Sequence, residues 1–277
     1  MCSSDLVVLS GEGADELFGG YTIYKEPLSL APFEKIPSPI NKVLAKLGDA
    51  LPEGVRGKSL LQRGTMSMEE RYYGNARSFN YEQLERVLRE VRPEWDHREV
   101  TAPIYAKSKD MDPVARMQHL DLFTWLRGDI LVKADKITMA NSLELRVPFL
   151  DREMLELALS IPRRYRCDEE HTKIALRGAA LRQLPESVAK RRKLGFPVPL
   201  NDWLRQDKYY AMVREKFEGP VARQFFNVPA ICRLLEDHKA GRAKNMTKIW
   251  SIYSFILWYE LYFVNAAPPA GVYDRAG

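Results

Sequence analysis

Most apolar positions along this chain repeat with helical spacing; the opening block does not. Leu6 to Leu9 is an unbroken apolar run that meets glycines at Gly11 and Gly13, which predicts a strand, a tight turn and then a short helix. Ile40, Val43, Leu44 and Leu47 share a helical face behind a Ser38-Pro39 start, with Gly48 as the expected stop. Gly54 to Gly57 reads as a turn, Met68 to Ser78 and Tyr81 to Val91 as helices, and Arg92 to Thr101 as a loose polar stretch. Asp112-Pro113 opens a helix that turns Val114, Met117 and Leu120 inward. Gly128 is expected to interrupt it before a helix over Ile130 to Ala140.

Leu143, Leu145 and Val147 alternate with charge, which suggests a buried, strand-like piece holding a Glu144–Arg146 pair and ending at Pro148. Asp151 caps the next helix, with Met154, Leu157, Ala158 and Ile161 on its inner face. Thr172 to Leu184 reads as helix, Gly195 to Pro199 as loop, and Pro229 to Lys239 as a helix ended by Gly241. Thr247 to Phe263 is the last helix, and the small, proline-rich stretch after Ala266 is a frayed tail. The expected class is mainly α with a single strand. A lone strand cannot satisfy its own backbone groups, so its partners are expected outside this chain and the polypeptide is expected to depend on them.

Composition narrows the classes. The chain has 277 residues, 45% hydrophobic and 29% charged, ordinary for a globular protein. Three widely spaced cysteines supply neither a disulfide framework nor metal-ligand spacing, which points to a reducing cytoplasm. The aromatic run Ile249 to Val264 is short for a bilayer span and carries Glu260, so a buried core helix is expected and no membrane. Lys and Arg outnumber Asp and Glu by 42 to 37, a net charge of +5. That modest excess suits anionic substrates, and no nucleic-acid motif accompanies it.

The chemistry concentrates in VVLSGEGADELFGGY, Val7 to Tyr21. Glycines admit a ligand to the backbone, and a helix start offers free N–H groups to an anion. Glu12, Asp15 and Glu16 would repel a bare phosphate. A magnesium ion between carboxylates and phosphate oxygens removes that conflict. The competing reading is a helix start whose acids only complement the dipole.

Three segments in order carry a resemblance: SGEGADELFGGY, then KADKITMANSLELRVPFLD from Lys133 to Asp151, then AKRRKLGFPVPL from Ala189 to Leu200. They resemble the synthetase (ATP pyrophosphatase) domain of glutamine-hydrolysing asparagine synthetases, and the likeness extends from about Val7 to Phe263. The resemblance implies an α/β domain of the nucleotide α-hydrolase type, a partial copy over residues 6–264, between a non-native or unstructured leader over 1–5 and a flexible tail over 265–277. It implies an enzyme that uses ATP and Mg²⁺ to adenylate aspartate and then transfers glutamine-derived ammonia, in a cytoplasmic setting, with a homodimer as one option for its assembly. The family's glutaminase domain and its S-G-G-x-D-S loop for ATP have no counterpart in these residues. Cys2 is followed by Ser3, Ser4 and Asp5, unlike the glutaminase nucleophile. The expectation is therefore the C-terminal part of a longer enzyme, inactive when isolated.

By the same resemblance, Ser10, Gly11, Gly13 and Ala14 contact diphosphate, Asp15 binds the metal, and Glu12 orients aspartate or takes a proton from ammonia. Lys193 faces the departing diphosphate and the adenylate oxygen, and Arg146 is the expected substrate contact of the middle segment. Glu16 reads as a helix-terminus charge, and Lys133, Asp135, Lys136 and Glu144 as structural. Related adenylating amidotransferases (β-lactam synthetases, lasso-peptide cyclases, enzymes that modify polysaccharides or peptides) and a non-catalytic partner subunit are the alternatives.

Overall fold

The structure, a computed structural model, describes residues 7–51, 55, 57–75, 77–92, 94–191 and 198–265. In chain order β1 (Val7–Leu9) leads into α1 (Ala14–Phe18), α2 (Glu26–Glu34), α3 (Ser38–Ala50), α4 (Lys58–Thr65), α5 (Met68–Arg71) and α6 (Tyr81–Val87). Then come α7 (Arg98–Lys107), α8 (Pro113–Asp121), α9 (Leu131–Ala140), β2 (Glu144–Arg146), α10 (Arg152–Ser160), α11 (Ile174–Ala180) and α12 (Glu186–Ala189). Helices α13 (Leu200–Trp203), α14 (Asp207–Phe217), α15 (Pro220–Phe225), α16 (Val228–Lys239) and α17 (Met246–Tyr259) complete the described chain. The mainly helical reading is correct.

The single-strand expectation is corrected. β1 pairs in parallel with β2, Val7 opposite Glu144 and Leu9 opposite Arg146, so the opening strand has a partner within the chain. The two strands are three residues each, and the β2 side chains alternate between partly buried and exposed rather than lying in a core. Leu9 remains 76% exposed.

Two compact units form, one from Met1–Ala76 with Asp96–Arg192, the other from Arg77–Trp95 with Lys193–Gly277. In the first, Tyr24, Met117, Leu120 and Val114 make one apolar centre, and Leu17, Phe18 and Ala158 another. Asp112 accepts from the N–H groups of Val114 and Ala115, which fixes the start of α8 and turns the predicted face inward. In the second unit, Phe217, Ile231, Leu235, Ile249 and Ile256 form the core. There His238 accepts the Asn245 N–H at Nδ1, which leaves its Nε2–H for the Asn201 carbonyl, a structural role consistent with the absence of ligand spacing.

Several predicted boundaries move, each for a packing reason. Gly48 does not stop α3; a Cβ there would lie 3.2 Å from Leu61 Cβ, so the glycine allows α4 to approach an unbroken helix. Ser38 lies inside α3, and the cap position is Pro37. Gly128 does not interrupt the chain either. A π-helical segment, Leu122–Ile130, joins α8 to α9 while Leu126 and Ile130 are buried on either side of the glycine. The helix expected over Met68 to Ser78 is one turn long, because Tyr72 becomes extended to reach a buried carboxylate. The Tyr81 helix ends at Val87 as Leu88 bridges to Phe226. The polar stretch becomes helical from Arg98, held by buried Thr101 and Tyr105.

On α10 the apolar face is Met154, Leu155, Ala158 and Ile161, while Leu157 is exposed. Helix α11 is shorter than Thr172 to Leu184, since Lys173 takes a left-handed conformation and Thr172 bridges to Cys167. On α17, Ile249, Ile252 and Ile256 are buried, but Trp250 and Trp258 are exposed, as is Phe263 in the π-helical segment Glu260–Val264 that follows, so one face rather than the whole run is core. Among the described residues no helix is long and apolar enough to cross a membrane. The Gly54 to Gly57 turn and the Gly195 to Pro199 loop lie partly outside the described residues.

Candidate functional site

The turn after β1 is anchored to the middle segment by the main chain. Ser10 N–H donates to the Arg146 carbonyl at 2.8 Å, one step beyond the paired strands. Gly13 adopts φ 86, and a Cβ at that glycine would lie 2.4 Å from Leu150 Cδ2. The backbone thus reverses tightly against Leu150 before α1 begins. Of the residues expected at diphosphate, Ser10 uses its N–H in the strand pairing, and Ala14 directs its own to the Gly11 carbonyl at 3.3 Å. Among the described residues the Gly11 and Gly13 N–H groups reach no main-chain carbonyl. Glu12 is partly exposed on the same turn.

Asp15 stands at the start of α1 and pairs with Lys173 Nζ at 2.9 Å, with both side chains largely covered. Its carbonyl accepts the Gly20 N–H at 2.7 Å, closing α1 through left-handed Gly19. Gly20 then passes so close that a Cβ there would sit 1.8 Å from Asp15 Oδ1 and 2.3 Å from Lys173 Cε. The pairing of Asp15 with Lys173 had no local signal in the sequence.

Glu16 corrects the reading of a terminal charge. It is 2% exposed and accepts the Tyr21 hydroxyl at 2.7 Å, while Trp125 Nε1–H donates to the Tyr21 oxygen at 3.1 Å. Burial, and then the Glu16 carboxylate, push the Tyr21 phenol above its usual range. Gln118 Nε2 donates to the carbonyls of Glu16 and Leu17, and Arg166 Nη1 donates to Gln118 Oε1. These buried bonds fix the far side of α1 and so set where Asp15 points.

The remaining predicted residues separate. Arg146 is close to the turn through its backbone, whereas its exposed guanidinium pairs with Glu144, as the alternating pattern suggested. Lys133 and Lys136 are both exposed on α9. Lys193 lies outside the described residues.

Among the described residues no three His, Cys, Asp or Glu side chains converge on a point suited to a metal. The donor set nevertheless fits magnesium arriving with phosphate. Such a complex needs one or two carboxylates, with phosphate oxygens and water completing the shell. Asp15 would supply one carboxylate, which here is paired with the Lys173 ammonium.

A family model described as asparagine synthase matches residues 4–260. A putative glutamine-hydrolysing asparagine synthetase of Mycobacterium tuberculosis is 52% identical over 263 residues, 95% of this chain and 40% of the relative. Asparagine synthetase (glutamine-hydrolysing) 1 of Bacillus subtilis is 46% identical over 255 residues, 92% of this chain and again 40% of the relative. The chain therefore spans about two fifths of the length of these relatives. No solved structure gives a significant match.

Proposed function

The chain belongs to the asparagine synthase family, and from that membership we propose that it carries the diphosphate-binding region of an ATP-dependent amide ligase. That ligase activates the side-chain carboxylate of aspartate with ATP, releasing diphosphate, and passes the activated group to glutamine-derived ammonia to form asparagine and AMP. The observation that carries this reading is the Ser10–Arg146 backbone bond, which lays two of the three family segments side by side. Glutaminase and nucleotide-loop functions belong, on this reading, to sequence beyond these residues, in a cytoplasmic enzyme whose sheet is of the nucleotide α-hydrolase type.

Each residue has a task. Asp15 holds Mg²⁺, which when bound neutralises charge on the diphosphate. The Ser10 hydroxyl and the Gly11 and Gly13 N–H groups donate to diphosphate oxygens, and Ala14 shapes the turn they occupy. Glu12 orients aspartate or accepts a proton from attacking ammonia. Lys193 faces the leaving diphosphate as a mobile point charge, and Arg146 contacts substrate after release from Glu144. This division of labour is electrostatic stabilisation of a charged transition state by preplaced groups.

The test is aspartate-dependent exchange of labelled diphosphate into ATP. Exchange by the chain joined to its missing N-terminal region supports the reading, with Asp15→Asn abolishing it and Lys193→Ala slowing it severely. Exchange driven by a different carboxylate transfers the site to another adenylating amidotransferase. Wild-type exchange in both variants removes the residue assignments.

A further inference from the structure

We propose that the cavity lined by α2, α3, α4, α5 and α8 in the first unit is a binding site for a zwitterionic α-amino acid with an apolar side chain. The proposal stands apart from the diphosphate-site reading, because none of the cavity's lining residues belongs to the three segments that resemble the ligase family.

The cavity has a volume of about 330 Å³, near the lower end of small-molecule sites, so it admits an occupant of amino-acid size. Leu30, Phe33, Ile36 and Met68 supply apolar lining, and Leu30 and Met68 are buried. Gly64 lets α4 lie against this lining, since a Cβ there would be 2.6 Å from the Phe33 ring.

Two guanidinium groups join the apolar lining, Arg71 from α5 and Arg116 from α8. The Arg71 side chain is 8% exposed, and its Nη1–H donates to the Met66 carbonyl at 2.9 Å. Its buried Nε stands 3.5 Å from Glu26 Oε2 and makes no hydrogen bond, because Glu26 accepts at 2.8 Å from Arg63 Nη1 instead. Arg116 lies over the Tyr105 ring and donates through Nη2 to Glu69, while its Nε is also buried without a partner. Three guanidinium groups thus share two carboxylates, Glu26 and Glu69, an excess of one positive charge. Asn41 Oδ1 from α3 is the complementary group, a buried acceptor that no protein donor reaches. Glu34, which also lines the cavity, is exposed.

These walls specify an occupant with three parts. It needs an anionic acceptor for the arginine N–H groups, a donor for Asn41 and an apolar body for the Leu30–Phe33 side. An inorganic anion lacks the donor and the body, a fatty acid lacks the donor, and an alkylamine lacks the acceptor. An apolar amino acid carries carboxylate, ammonium and hydrocarbon on neighbouring atoms, and its ammonium is also compatible with the Glu34 carboxylate.

The experiment titrates the 277-residue chain with L-leucine by isothermal calorimetry, beside isocaproate, which lacks the ammonium, and isoamylamine, which lacks the carboxylate. L-Leucine is expected to bind with a dissociation constant of about 1 mM or below, isocaproate about tenfold more weakly and isoamylamine more weakly than L-leucine. Asn41→Leu removes an acceptor that makes no bond within the protein, so it should lower the affinity for L-leucine about tenfold and leave isocaproate unchanged. In the wild-type chain, nuclear Overhauser effects should connect the leucine methyl groups to the Met68 methyl group, a readout that needs no variant. Absence of wild-type binding, binding without the Met68 contact, or an L-leucine affinity that Asn41→Leu leaves unchanged would each overturn the proposal. Equal wild-type affinity for L-leucine and either analogue would overturn the amino-acid assignment.

Discussion

The Tyr21 hydroxyl donates a 2.7 Å hydrogen bond to the Glu16 carboxylate, and that carboxylate is buried. The two acids of the ADE triplet thus face different environments. Asp15 meets a cation at the edge of the turn, while Glu16 is built into the protein interior. Adjacent helical positions diverge by about a hundred degrees, which is enough to separate a lysine-paired acid at the turn from an interior one. Tyr21→Phe should therefore destabilise the chain by about 1.5–3 kcal/mol, the range for a hydrogen bond to a charged group. Urea denaturation measures it, and a loss below about 0.5 kcal/mol would show that the bond contributes little in solution.

Gly20→Ala should separate Asp15 from Lys173, because the added methyl occupies the space of Asp15 Oδ1 and Lys173 Cε. Overpacking of this kind costs about 1–3 kcal/mol. The variant is expected to lose Mn²⁺-diphosphate binding while its circular dichroism stays helical. Unaltered binding would mean that the pair is not needed in its observed geometry.

Asp121 makes folding depend on pH. Burial pushes its carboxyl up to about 6, opposed by hydrogen bonds from Tyr24 and Tyr72 and reinforced by the charge of Glu16. Because the folded value exceeds that of an unfolded aspartate, the native state binds more protons between about pH 4 and 6. Stability from this group is therefore complete below about pH 4 and is lost as pH rises through about 6. Integrated over that window, the change is about 3 kcal/mol. Asp121→Asn should remove this component, so the difference in unfolding free energy between wild type and variant should vary over the same interval. A constant difference would place the titration elsewhere.

Arg166 is 6% exposed and donates to the carbonyls of Ala158, Leu159 and Ile161 as well as to Gln118. Burial holds its guanidinium below the usual range. Arg166→Met leaves those buried acceptors without their donor and should cost about 3 kcal/mol. It should also loosen α1, since Gln118 links Arg166 to the Glu16 and Leu17 carbonyls. Faster amide exchange along Ala14–Phe18 would register that loosening; exchange as slow as in wild type would show that α1 is held by other contacts.

Local features of the sequence carried far. Asp112 and Asp151 act as the caps that their positions ahead of apolar helical stripes predict. Val114, Met117 and Leu120 face inward as their spacing requires, and Gly241 ends α16 with φ 73. Each depends on residues within one or two turns, so the information lies in the local order of the chain. The readings that failed involve distant partners. Gly48 looked like a stop because Leu61, which needs its missing side chain, is invisible to a local window. Leu157 looked inward because periodicity leaves the width of an apolar face open until its neighbour is in place.

By itself, the order of residues determined a mainly helical chain, three segments that resemble one ligase family, and an acidic turn poised after an opening strand. Tertiary structure alone decided that this strand pairs with Glu144–Arg146, that Glu16 is interior, and that Lys173 meets Asp15. The physical reason is range. Periodicity, caps and turn chemistry act between near neighbours, whereas strand pairing and buried charge depend on which remote surfaces exclude water together.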